Sequence, residues 1–171
     1  RIMEELGNFE IRTEVASEYR YRNIPIGPDT LAVFVSQSGE TADTLAAMEE
    51  ARVKGATTWS IVNAIGSQAM RVADGSISMQ VGPEIGVAST KAFTAPLIDL
   101  YMLAVYLGEL RGTITSAEKR QYIDDLRRVP ELVSQVLDRE NDIIPIAREL
   151  KYIRNMIYLG RGINMPIAYE G

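Results

Sequence analysis

One unit constrains the fold of this chain more than any other feature: a β-branched apolar run, a polar turn and a helical stretch, met first at residues 30–54 and then again. Residues 30–35 are nearly continuous apolar sequence, as expected of a strand covered on both faces of a parallel sheet. The polar turn 36–41 follows. Ala42, Leu45, Ala46, Ala51 and Val53 then keep helical spacing up to Lys54, where Gly55 supplies a stop. Residues 57–62, 67–73 and 76–81 read as strand, short helix and strand. Such alternation predicts an α/β fold with a parallel sheet and right-handed crossovers.

The flanking sequence is read on the same rules. Residues 1–7 resemble a helix end stopped at Gly7, the alternation at 11–15 suits a strand, and 16–22 suit a short helix ended by Pro25 and Gly27. Residues 90–107 predict a long apolar helix that ends over 108–112. Residues 119–136, entered from Ser116, predict an amphipathic helix with Pro130 as a kink or break. Residues 141–150 predict a helix carrying Pro145 near its first turn, and 156–159 a strand running into Gly160, Arg161 and Gly162, where the pattern restarts. The expected organisation is a first domain at 1–115, a helical connection at 116–152 and the opening of a second domain at 153–171.

Composition narrows the chemistry. A net charge of −5 over 171 residues disfavours nucleic acid as the main partner, because backbone phosphates need a clustered basic face. The apolar stretch 97–107 is interrupted by Asp99 and falls short of a membrane span, and no charged-then-apolar leader opens the chain, so the expectation is a soluble, cytoplasmic protein. The chain has no cysteine and no histidine. Thiolate catalysis, the usual neutral-pH base and the commonest zinc ligand are thereby removed, and any acid–base work falls to carboxylates, lysines or tyrosines. No cofactor or metal is expected.

The turn Ser36-Gln37-Ser38-Gly39-Glu40-Thr41 stands where ligands of open α/β sheets bind, at the carboxyl end of a strand and the amino end of a helix. Ser36, Ser38 and Thr41 can donate hydroxyl hydrogens to a phosphate oxygen, Gln37 can add an amide N–H, and Gly39 lets backbone approach without a Cβ. The same residue types also serve as simple helix caps. Neither the P-loop pattern nor the dinucleotide fingerprint is present here or at 160–165, so a single phosphate on a small molecule is the expected ligand. Such a ligand requires Glu40 to turn its carboxylate away.

The string 36–44 resembles the phosphate loop of sugar isomerase (SIS) domains in the glucosamine-6-phosphate synthase family, and strings at 16–22, 84–94 and 159–162 agree with it in order. The resemblance implies a three-layer fold with a five-stranded parallel sheet between helices, its first strand preceding Arg1. It implies that Ser36, Gln37, Ser38 and Thr41 hold the sugar phosphate and that Val87, Ala88 and Ser89 touch the sugar. The ligands implied are fructose 6-phosphate, glucose 6-phosphate and glucosamine 6-phosphate, within an enzyme that makes glucosamine 6-phosphate and glutamate from fructose 6-phosphate and glutamine. The family's ring-opening and proton-transfer residues would lie beyond Gly171, so no catalytic residue is expected in this chain. Ser89 and Thr90 can alternatively cap the helix that follows, and Glu84 and Lys91 can be locally paired. A phosphosugar sensor of a regulator and a single-lobe isomerase are the alternative functions. The long apolar helix suggests a homodimer, with burial inside the domain or against a second lobe as alternatives.

Overall fold

The computed structural model describes residues 1–86 and 89–170, which form two compact units, Arg1–Leu126 and Arg127–Gly171. In the first unit three strands, β1 (Leu31–Ser36), β2 (Thr57–Val62) and β3 (Gly75–Ser78), pair in parallel in the order β1-β2-β3. The register sets Leu31 opposite Thr57 and Ser36 opposite Val62, then Trp59 opposite Gly75 and Val62 opposite Ser78. All three strands therefore finish at one end of the sheet, and the turns that follow them share that end. At the opposite end Asp74 staples β2 to the segment entering β3, accepting from the Thr58 N–H at 2.8 Å and the Thr58 hydroxyl at 2.9 Å.

Helices cover both faces, because successive side chains of each strand point to opposite sides. On one side Met48 of α3 (Ala42–Val53) and Ala69 of α4 (Gln68–Val72) close over Val62, with Phe34 and Leu45 beside them. On the other, Ala92, Ala95 and Leu100 of α5 (Lys91–Arg111) pack on Ile61, Val33 and Ile77. This is the three-layer arrangement expected. By length and composition alone α5 could cross a membrane; one side of it packs on the sheet and another leaves Leu97, Met102, Tyr106 and Leu110 exposed. It runs past residue 107 because Gly108 belongs inside it. A Cβ there would stand 2.8 Å from the Leu6 carbonyl oxygen, so the missing side chain is what lets α1 (Ile2–Gly7) lie against α5. Gly112, at φ 72°, ends the helix.

Other expectations fail for identifiable reasons. Residues 11–15 form no strand: alternation reports a preference for faces, but a strand also needs a ladder partner, and this segment instead links α1 to α2 (Ala16–Tyr19). Residues 156–159 likewise make no strand, with Ile157 83% and Leu159 90% exposed. β1 is covered on both faces, through Phe34 on one and Val33 on the other, but not along its whole length. It lies at a sheet edge, where Leu31 and Val35 remain exposed. Among the described residues the sheet has three strands. Pro130 does not break α6, which runs continuously over Ser116–Leu137. The second unit holds the end of α6, then α7 (Glu140–Leu150), a 3-10 turn (Gly162–Asn164) and α8 (Met165–Glu170), with no buried residue in any of them.

Candidate functional site

The turn after β1 is built from its own hydroxyls. The Gly39 N–H donates to Ser36 Oγ at 3.1 Å and the Glu40 N–H to Ser38 Oγ at 3.2 Å. Each hydroxyl uses its oxygen as an acceptor in these bonds and keeps its hydrogen for an external acceptor. Thr41 occupies the N-cap position of α3 with extended backbone, and its side chain makes no capping bond. Its hydroxyl is therefore not spent on the local role that threonine often takes there. Gln37 and Thr41 are exposed, Ser36 and Ser38 half-buried. The amino end of α3 adds unpaired N–H groups and the positive end of its dipole.

Gly39 is buried at φ 64°, a conformation that favours glycine, and a Cβ on it would meet Ser67 Oγ at 2.3 Å. The turn thus packs directly on the segment before α4. Two further bonds fix it there: the Ala69 N–H donates to the Gly39 carbonyl at 2.9 Å, and the Gln68 N–H donates to Glu40 Oε1 at 2.7 Å. Glu40 turns its carboxylate to the first turn of α4, where the exposed N–H groups favour a negative charge.

The turns after β2 and β3 complete an open cleft of about 530 Å³ whose lining includes Gln37, Asn63, Ser78 and Gln80. The Gln37 carbonyl accepts from the N–H groups of both Asn63 and Ala64, each at 3.2 Å, which ties the first turn to the second. Asn63 ties the second to the third: its Oδ1 accepts from the Val81 N–H at 3.2 Å and its Nδ2 donates to the Gly82 carbonyl at 2.7 Å. Sequence reasoning passed over Asn63, Ser78 and Gln80. The signal available for Asn63 is its place immediately after a buried strand, the same place that singled out Ser36 and Gln37 after β1.

Of the second group of expected residues, Val87 and Ala88 lie outside the described residues, and Ser89 is exposed ahead of α5. Neither Ser89 nor Thr90 caps that helix. Glu84 does, its carboxylate accepting from the Ala92 N–H at 2.8 Å and the Thr90 hydroxyl at 3.1 Å. The Ala92 N–H, more than the Thr90 hydroxyl, holds the Glu84 carboxyl below its usual range. Lys91 Nζ donates to the Pro83 carbonyl at 3.0 Å. Both charged residues thus take the local roles left open for them.

Comparison with known proteins agrees with this geometry. The chain is 41% identical over 99% of its length to a glutamine–fructose-6-phosphate aminotransferase [isomerizing] of Thermus thermophilus. It is 45% identical over 98% of its length to one of Bartonella henselae. It spans 28% of each of those relatives. Among solved structures, the C-terminal domain of glucosamine-fructose-6-phosphate aminotransferase from Francisella tularensis superimposes with a TM-score of 0.96 at 34% identity, covering 99% of this chain and 48% of that one. A family profile described as SIS domain matches residues 1–106. With the parallel sheet, the hydroxyl-rich turn after β1 and this match over more than half its length, the chain belongs to the SIS domain family.

Proposed function

We propose that this chain is the phosphosugar-binding part of an enzyme that makes glucosamine 6-phosphate and glutamate from fructose 6-phosphate and glutamine. The observation that carries the reading is the turn 36–41, whose serine hydroxyls accept loop N–H groups and so keep their hydrogens for an anion at the amino end of α3. Ser36, Gln37, Ser38 and Thr41 receive the phosphate, and the neighbouring cleft receives the sugar, with Val87, Ala88 and Ser89 as further contacts. Fructose 6-phosphate, glucose 6-phosphate and glucosamine 6-phosphate are the ligands of this site. The names of the relatives support that substrate class. We place the protein in the cytoplasm and read it as a homodimer, the dimer being supported by the apolar side chains that α5 leaves in solvent, Leu97, Met102, Tyr106 and Leu110.

The turn itself carries no lysine or arginine, so the phosphate is held by neutral donors. Titration calorimetry with glucose 6-phosphate tests this. Ser38→Ala removes one hydrogen bond to a charged group, about 1.5–3 kcal/mol, or roughly a ten- to hundredfold loss of affinity. Ser38→Asp places a carboxylate where the phosphate sits and reduces binding further. Equal affinity in all three proteins would reduce the turn to a helix start and overturn the reading.

A further inference from the structure

The cleft beside the phosphate turn differs from that turn in chemistry. Its polar lining is three carboxamides, Gln37, Asn63 and Gln80, and one hydroxyl, Ser78, with no ionisable side chain. Carboxamides and hydroxyls donate and accept equally well, which suits a row of sugar hydroxyls and offers nothing to a second charge. Two features show that this wall is built to a purpose. Ser78 Oγ is buried without a hydrogen-bond partner, although buried polar atoms are nearly always paired. Gln80 sits at φ 52°, a left-handed conformation that a long side chain rarely adopts.

Asn63 explains how Gln80 is kept there. By accepting from the Val81 N–H and donating to the Gly82 carbonyl it holds the backbone of the two residues after Gln80. The side chain acts as a short stretch of strand, continuing β2 to hold the turn that follows β3. Backbone strain at one exposed residue persists when its surroundings over-determine it, and such positions cluster at ligand sites.

We propose that Gln80 contacts the hydroxyls of the bound phosphosugar and determines its affinity beyond the phosphate, with Asn63 as the residue that positions it. The proposal rests on the phosphosugar reading above and adds to it the wall of the site that recognises the sugar body.

The test is a set of calorimetric titrations of the full 171-residue chain with fructose 6-phosphate and with inorganic phosphate. Gln80→Gly is the informative variant, since glycine accepts φ 52° freely while losing the carboxamide. The expected result is an affinity for fructose 6-phosphate about three- to tenfold weaker, the size of one neutral hydrogen bond, with phosphate binding unchanged. Asn63→Ala should give a comparable selective loss, and the double variant should add little to either single change, as for two residues acting as one unit. Unchanged fructose 6-phosphate affinity in Gln80→Gly would overturn the role of Gln80, and so would an equal loss for both titrants, which would mean a general disturbance of the site. Additive losses would overturn the coupling to Asn63. If the wild-type chain binds phosphate but not fructose 6-phosphate more tightly, the sugar wall fails while the phosphate turn stands. If it binds neither, the phosphosugar reading fails and takes this inference with it.

Discussion

Asp99 is the residue whose chemistry fits its surroundings least well. It lies on the core side of α5, 6% exposed, and its Oδ2 has no hydrogen-bond partner. Burial pushes its carboxyl above the usual range, because the charged form loses water and gains nothing in return. With the folded-state pKa above the unfolded value of about 4, the native chain holds this proton more tightly than the unfolded one. Stability is then fully present below pH 4 and declines as pH rises through the folded pKa. Asp99→Asn should therefore raise the melting temperature at pH 8 and leave it nearly unchanged near pH 4. A lower melting temperature at pH 8 in thermal scans would mean that the carboxylate is held by a favourable interaction. Glu84 has the opposite sign. Its carboxyl is depressed, so its contribution is present above the unfolded pKa and fades as acid protonates it. The sequence shows both acids, but nothing in it distinguishes the one that faces the core from the one that caps a helix. That difference arises only when α5 is laid on the sheet.

At the scale of elements, Gly108 decides how α1 meets α5. In an isolated helix Gly→Ala gains about 0.5–1 kcal/mol. Here the new Cβ would stand 2.8 Å from the Leu6 carbonyl oxygen, and that contact is with backbone, which cannot swing aside. Overpacking of this kind costs about 1–3 kcal/mol, so Gly108→Ala should be destabilising by about 1–2 kcal/mol, read as a lower midpoint in urea unfolding. A midpoint raised by the full helix-propensity gain would mean that α1 does not lie where it is described. The same glycine shows how far the elements were legible. Strand β2 matches its expected bounds because its β-branched and aromatic residues, Thr57, Thr58, Trp59, Ile61 and Val62, are closely bracketed by Gly55 before and Asn63 after. α5 outruns its expected end because a glycine required for close approach looks, in sequence, like a glycine that stops a helix. Segment 11–15 alternates like a strand without being one because alternating hydrophobicity says nothing about whether a neighbouring strand is present. For the site, the turn after β1 is legible from its hydroxyls, whereas Asn63 is marked only by its place after β2 and Gln80 not at all. Their importance lies in one side chain spanning two turns that are 18 residues apart in sequence.

At the scale of the whole molecule, three potential acids and bases of this chain, Glu84, Lys91 and Tyr19, are locally bonded or buried. It contains neither histidine nor cysteine, Glu84 caps α5, Lys91 is bound to a carbonyl, and the Tyr19 hydroxyl is buried, which raises its pKa. We expect no amino sugar to form when the chain alone is incubated with fructose 6-phosphate and ammonia. Turnover clearly above buffer in an amino sugar assay would show that one of these groups is available to a substrate. The phosphate turn also bears on how such a ligand is reached. The loop carries no fixed cation, Glu40 is held at α4, and the chain as a whole is negative by five charges. Under the proposed function a dianion would therefore approach against the field of a negative chain and be held by short-range dipoles. Dissolved salt weakens phosphate sites made of lysine and arginine by screening their attraction. In the proposed site the attraction is local and the distant repulsion is what salt would screen, so phosphosugar affinity should hold or rise as ionic strength increases.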